Sequence, residues 1–291
     1  VIALLSLVDT ICLVSIVIFG VPHGAFDYAF LRKSAKGRNG AFIRTIAVYV
    51  LLIFLSLILW FLAPTLSLML FLLISTYHFG VADPLRFCID PQSPKILAIS
   101  STLMQGGLTT ILLPLFHWAT VSQYFTILQS NPETLFLWLT LSGSLWVISG
   151  LVVFKHLFEA NQTAKVAVTL LACLLVYLMK PLLFFAVFFC CFHSWSHYKN
   201  SVRHISVAGQ SSSVSFFITT ILAWALIVIV GLGFLPNFGD ELTFSSEPSL
   251  LRGVFATLFA LTVPHIVVVD FLFAPKDRSE LMELDRSEFT T

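Results

Sequence analysis

The residues best suited to chemistry in this sequence are two histidines in the segment HSWSH, His193 and His197. In an α-helix, side chains four residues apart lie on one face, about one turn from each other. That spacing allows two imidazole rings to bind one metal ion. The pair alone is weak evidence, because a structural or proton-relay role would use the same spacing.

Three other histidines are each followed, four or five residues later, by an aspartate. The pairs are His23 and Asp27, His78 and Asp83, and His265 and Asp270. Histidines that bind a metal usually donate their second ring N–H to a carboxylate, a carbonyl or water. The aspartates are candidates for this role, and we expect Asp27, one turn after His23, to steady that ring. The alternative is that the aspartates only mark the edge of a membrane.

Composition sets the environment in which these residues must be positioned. The chain has 291 residues, of which 58% are hydrophobic and 11% charged, and its mean hydropathy is +0.95. Soluble domains carry roughly 25% charged residues. Apolar runs recur along the whole length, which predicts one integral membrane catalytic domain over residues 1–291. A net charge of +1 without a basic cluster argues against nucleic acid as a partner.

Nine apolar segments predict an all-α, polytopic transmembrane helix bundle of about 8–10 spans. The predicted spans are 3–21, 43–63, 65–82, 97–116, 134–154, 165–180, 181–198, 214–235 and 252–273. The first could instead lie at 11–30, with VPHG in mid-span. Gly20 and Pro22 then predict a local break in the helix that aims His23 inward.

The basic residues predict an orientation. Of the 16 Lys and Arg residues, all but Lys180 and Arg252 fall at one set of span ends, which we assign to the cytoplasm. This places His23, His78 and the HSWSH pair at one depth near the cytoplasmic face, with His265 somewhat deeper. Ionisable residues inside a membrane usually face the bundle interior and serve function. We therefore predict a metal site there.

Missing motifs narrow the class of protein. Imidazole ligands suit iron, zinc, copper and nickel alike. The sequence lacks the H-E-x-x-H of zinc proteases, the H-x-x-H-H box of di-iron desaturases, and a mid-membrane lysine for retinal. The alternative from another class is a non-enzymatic protein, either a transporter or an electron carrier, whose histidines bind metal or haem or relay protons. A transporter would be expected to show internal repeats and polar residues leading to the outer side.

Four motifs then carry a resemblance. They are GVPHGAFD at 20–27, YHFGVAD at 77–83, HSWSH at 193–197 and TVPHIVVVD at 262–270. In this order, and over nearly the whole chain, they resemble the Brp/Blh family of microbial membrane-bound β-carotene 15,15′-dioxygenases. The first and third motifs are specific together, although neither is specific alone.

The resemblance implies oxidative cleavage of the central 15,15′ double bond of β-carotene by O₂, giving two molecules of all-trans-retinal. It implies Fe²⁺ held by His23, His78, His193 and His197, with His265 as a further candidate. The retinal would serve a rhodopsin, so we expect a multi-pass protein of the microbial cytoplasmic membrane.

A hydrocarbon substrate dissolves in the bilayer, so we expect it to reach the metal sideways from lipid. The aromatic residues next to the histidines are the candidate substrate contacts. They are Tyr77, Phe79, Phe192 and Trp195.

Overall fold

A computed structural model of the chain describes residues 5–35, 37–82, 94–207, 213–233 and 247–273. These residues are almost entirely helical and contain no β-strand, which confirms the all-α prediction. They form ten helices. These are α1 (Leu7–Ser34), α2 (Asn39–Leu62), α3 (Pro64–Ala82), α4 (Lys95–Phe116), α5 (Trp118–Ile127), α6 (Pro132–Glu159), α7 (Thr163–Leu178), α8 (181–207), α9 (Ser213–Gly233) and α10 (247–273).

Seven of these helices are long and apolar enough to cross a membrane: α1, α2, α3, α4, α6, α9 and α10. α7 is apolar but shorter, and α8 carries the polar HSWSH motif in its second half. A helix thus occupies each of the nine predicted positions. The additional helix, α5, is short and joins α4 to α6.

Helix α1 is longer than the first predicted span and includes all of the alternative position, 11–30, so VPHG lies inside the helical run. Its α-helical start, Leu7–Ser15, is capped by Ser6 and Asp9, each of which bonds the other's backbone N–H. The backbone then changes to a π-helix over Ile16–Gly20 and to a 3₁₀-helix over Val21–Phe26. Pro22 lacks an N–H and clashes with regular helical winding, so this change falls where the sequence predicts it.

Two of the other three histidine helices, α8 and α10, also leave α-helical winding beside their motifs, whereas α3 is α-helical throughout. In α8 a π-helical segment, Phe188–Ser194, contains His193. In α10 a π-helical segment, Val267–Phe273, begins two residues after His265 and contains Asp270. Such segments are rare and occur frequently at functional sites, where they turn side chains away from ordinary helical positions.

Helix α10 lies at the centre of the bundle and contacts α2, α3, α5 and α9. The ring of Phe259 on α10 packs against Trp60 of α2 and Phe71 of α3, with centroids 5.7 and 6.1 Å apart. All three side chains are buried. This aromatic cluster packs α10 against α2 and α3.

Glycine allows two close helix approaches that bear on the histidines. A Cβ on Gly106 of α4 would collide with the backbone carbonyl of Thr76, two residues before His78. A Cβ on Gly20 of α1 would collide with the ring of Phe189 on α8. The histidine helices α3 and α8 are therefore held by close contacts at glycine that a larger residue would prevent.

Candidate metal centre

Four histidines from three helices form one buried cluster. They are His78 of α3, His193 and His197 of α8, and His265 of α10. The ring centroids lie 4.9 Å apart for His193 and His78, 5.1 Å for His78 and His265, and 5.0 Å for His265 and His197. None of the four is more than 9% exposed. Three of the four histidines predicted to share one depth, His78, His193 and His197, thus lie in one cluster, and the two central rings of the row are those of His78 and His265.

Two buried carboxylates hold the central rings. Asp270 Oδ2 lies 2.8 Å from His78 Nδ1, and Asp27 Oδ1 lies 2.9 Å from His265 Nδ1. An ionised carboxylate only accepts hydrogen bonds, so each Nδ1 carries a proton in these contacts. In a neutral ring this leaves the lone pair on Nε2, the nitrogen available to a metal.

Each of these carboxylates comes from a different helix than its histidine. The sequence suggested Asp270 for His265, but the structure pairs Asp270 with His78. Between His265 and Asp270 the backbone changes from α-helical to π-helical winding at Val267, so their spacing along the chain does not by itself set the relative direction of the two side chains. In the structure the two side chains reach different neighbours, since His265 contacts Asp27 and Asp270 contacts His78.

The pairing of Asp27 with His23 stays a prediction, because the structure does not describe the His23 side chain. Asp83 lies outside the described residues altogether. The backbone next to His23 does reach the cluster, since a Cβ built on Gly24 would lie 3.6 Å from His265 Nδ1.

Two residues that the sequence analysis missed also position the cluster. The Tyr49 hydroxyl on α2 donates to Asp27 Oδ2 at 2.8 Å, which gives a chain from Tyr49 through Asp27 to His265. Ser201 Oγ lies 3.3 Å from His197 Nδ1 on the same helix. Ser201 follows His197 by four residues, a spacing that could have identified it, whereas Tyr49 has no local signal.

The donor chemistry fits a metal ion. His78 Nε2 is buried, and no residue in the described ranges forms a hydrogen bond with it. A buried polar atom without a partner costs free energy that a metal ion would recover. Among the described side chains, no three His, Cys, Asp or Glu residues are already arranged to hold a metal ion. The fourth predicted ligand, His23, is not one of the described side chains. Three of the four imidazoles, those of His78, His197 and His265, have Nδ1 within hydrogen-bond distance of another side chain, which is the usual arrangement around a bound metal.

Of the four predicted aromatic contacts, only Phe79 meets the cluster. Its ring centroid lies 4.7 Å from that of His193, and the side chain is buried. The other three are 41 to 55% exposed and point outward: Tyr77, Phe192 and Trp195. A residue next to a buried one on a helix is rotated by about 100° and so faces elsewhere.

A second aromatic neighbour of the cluster, Phe189, was not predicted from the sequence. Its ring stacks on His193 with centroids 5.8 Å apart. Phe189 precedes His193 by four residues, so helical spacing was the signal that could have found it.

Comparison with known proteins adds to this geometry. The family model described as beta-carotene 15,15′-dioxygenase matches residues 14–273. The chain belongs to this family. Every histidine and aspartate of the cluster lies within the matched range, so the β-carotene 15,15′-dioxygenase family signal and the buried cluster coincide.

Two curated relatives carry the family's name. "Beta-carotene 15,15′-dioxygenase" of the uncultured marine bacterium 66A03 is 32% identical over 281 residues, covering 93% of this chain and 96% of that protein. "Probable beta-carotene 15,15′-dioxygenase Blh" of Halobacterium salinarum is 26% identical over 304 residues, covering 89% of this chain and 82% of that protein. No solved structure matches the chain.

Proposed function

We propose that this protein cleaves the central 15,15′ double bond of β-carotene with O₂ and releases two molecules of all-trans-retinal. Family membership supports the substrate and the bond. The observation that carries the proposal is the row of four buried histidines on α3, α8 and α10, in which buried carboxylates hold the two central rings. Family membership and the histidine cluster together favour an oxygenase over a transporter or an electron carrier.

The cofactor we propose is Fe²⁺, held by His78, His193 and His197 together with His23, with His265 as a further candidate ligand. When bound, iron would activate O₂ for reaction with an alkene, chemistry that no protein side chain provides. The same imidazole ligands would also bind zinc or copper. We therefore choose iron because the proposed reaction uses O₂.

The residues of the chain contribute position and surroundings. Asp270 and Asp27 hold the His78 and His265 rings by Nδ1, which fixes where their Nε2 atoms point. Phe79 and Phe189 cover His193 and exclude water from that side. The overall reaction adds one O₂ to the substrate without gain or loss of protons. No side chain needs to serve as nucleophile or general acid, which agrees with a site built from imidazole, carboxylate and phenyl groups.

The setting in the cell remains a proposal. The excess of Lys and Arg at one set of helix ends supports the proposal that the cluster lies near the cytoplasmic face of a microbial cell membrane. Retinal released there could pass to a rhodopsin in the same bilayer.

The direct test is expression in cells that accumulate β-carotene, followed by chromatography of the extracted pigments. We expect the carotene to disappear and retinal to appear. A matched strain with the His193→Ala variant, at equal protein level, should keep its carotene. Intact carotene and no retinal in the presence of well-expressed, iron-loaded wild-type protein would refute the activity.

A further inference from the structure

A cavity of about 460 Å³ lies beside the histidine cluster, between α2 and α9. Helices α1 and α10 also contribute to its lining. Its rim includes Val50 of α2 and Ile218 and Leu222 of α9, which are 43, 52 and 62% exposed. In a membrane these apolar side chains would face lipid, so the opening of the cavity is toward the bilayer interior.

The packing of the helices explains the opening. Both α2 and α9 pack against the central helix α10, and side chains from both line the space that separates them. Helix α10 and the 3₁₀ segment of α1 form the floor. The opening is therefore a lateral gap between two membrane helices.

The wall of the cavity reaches the candidate metal centre. Most of its lining residues are apolar, but the lining also includes Asp27, Tyr49 and His265, the hydrogen-bonded chain described above. Thr219, another polar lining residue, donates its hydroxyl to the Ala25 carbonyl at 2.9 Å. A ligand that enters from lipid thus moves along aliphatic side chains and arrives at His265.

We infer that this cavity binds one half of the β-carotene molecule, which enters between α2 and α9 and places its middle at the histidine cluster. This inference rests on the proposed function. A volume of about 460 Å³ lies within the range of roughly 300–1,000 Å³ typical of ligand sites. A long hydrocarbon suits an aliphatic wall that opens to lipid, whereas a charged substrate would have to cross the apolar rim.

Ala223 and Ala225 of α9 offer a matched test. Ala223 lines the cavity and is partly buried, whereas Ala225 is exposed and is not part of the lining. Two helical positions differ by about 200°, so the two side chains face opposite directions. Tryptophan at position 223 should fill the cavity, and tryptophan at position 225 should extend into lipid.

The experiment measures iron content, thermal unfolding, and initial rates of retinal formation against β-carotene concentration for the purified proteins. We expect Ala223→Trp to lower kcat/KM for β-carotene by about tenfold or more, because the pocket loses space for an apolar group. The iron content of this variant should stay at the wild-type level. Ala225→Trp should match the wild type in kcat/KM and in iron content. Ile53→Trp, which narrows the same cavity from α2, provides a second test if Ala223→Trp does not fold.

Two outcomes would overturn the inference. The first is wild-type kcat/KM in folded Ala223→Trp and Ile53→Trp proteins that cleave β-carotene. The second is loss of co-purified phospholipid from these variants at unchanged carotene cleavage, which would show that the cavity holds a lipid. Both leave the proposed function intact, whereas absence of retinal from the wild-type protein would refute that function itself.

Discussion

Asp27 receives hydrogen bonds from two other helices, from His265 Nδ1 at 2.9 Å and from the Tyr49 hydroxyl at 2.8 Å. The carboxylate is only 3% exposed. It therefore connects α1, α2 and α10 at the candidate metal centre. A buried carboxylate with two donors has few alternative positions, so it can fix the direction of the His265 ring.

The Tyr49→Phe variant tests this role. The change removes one donor to Asp27, so His265 should be held less firmly, and we expect metal affinity to fall by about 10-fold to 100-fold. Competition with a chelator measures that affinity independently of turnover. Tyr177→Phe, at a 62% exposed position on α7, is the control. Equal metal affinity in both variants and the wild type would show that Tyr49 does not position the site.

Variants of Asp270 should separate hydrogen bonding from charge. Asp270→Ala leaves the buried His78 Nδ1 without its acceptor, which should cost about 1–3 kcal/mol of folding free energy. Asp270→Asn should lose less, because its amide oxygen can still accept the bond. Thermal unfolding in detergent and iron content measure both effects. An alanine variant as stable and as iron-rich as the asparagine variant would contradict the assigned contact.

The histidines themselves should govern iron binding. Alanine in place of His78 or His197 removes a buried imidazole of the cluster, so we expect purified variants to lose iron and retinal formation together. His156→Ala, at an exposed position on α6, should change neither. Full iron occupancy in both cluster variants would mean that the ligands have been misassigned.

Close packing of α3 against α4 should matter for the site as well as for stability. In Gly106→Ala the new methyl group would collide with the Thr76 carbonyl, and backbone atoms cannot move aside as a side chain can. We expect a loss of about 1–3 kcal/mol in stability and displacement of His78. Gly150→Ala on α6, where a Cβ meets no atom within 4 Å, is the control. A Gly106→Ala protein as stable as Gly150→Ala would show that this contact can relax freely.

The sequence predicted the helices well because hydropathy, charge and proline act locally. Each predicted span corresponds to a helix in the structure, and Pro22 marks the change of winding in α1. The convergence of His78, His193 and His197 was also predictable, since helix length and the positions of basic residues set their common depth. Both predictions require only the position of each residue along the axis of its own helix, which the sequence gives directly.

The partners of the histidines could not be predicted in the same way. Asp270 and His78 are 192 residues apart, and Tyr49 and Asp27 are 22 apart. Which helices are neighbours, and how each is rotated, depends on packing throughout the bundle. Spacing within one helix therefore suggested Asp270 for His265, whereas the fold brings it to His78.

The measurement that tests the central claim most directly is the yield of retinal per β-carotene consumed by purified protein before and after metal exchange. Protein freed of metal by chelation should be inactive, Fe²⁺ with O₂ should restore two retinal molecules per carotene, and Zn²⁺ should not. Equal cleavage by the metal-free or zinc-loaded protein would contradict the claim that the histidine cluster holds a catalytic iron.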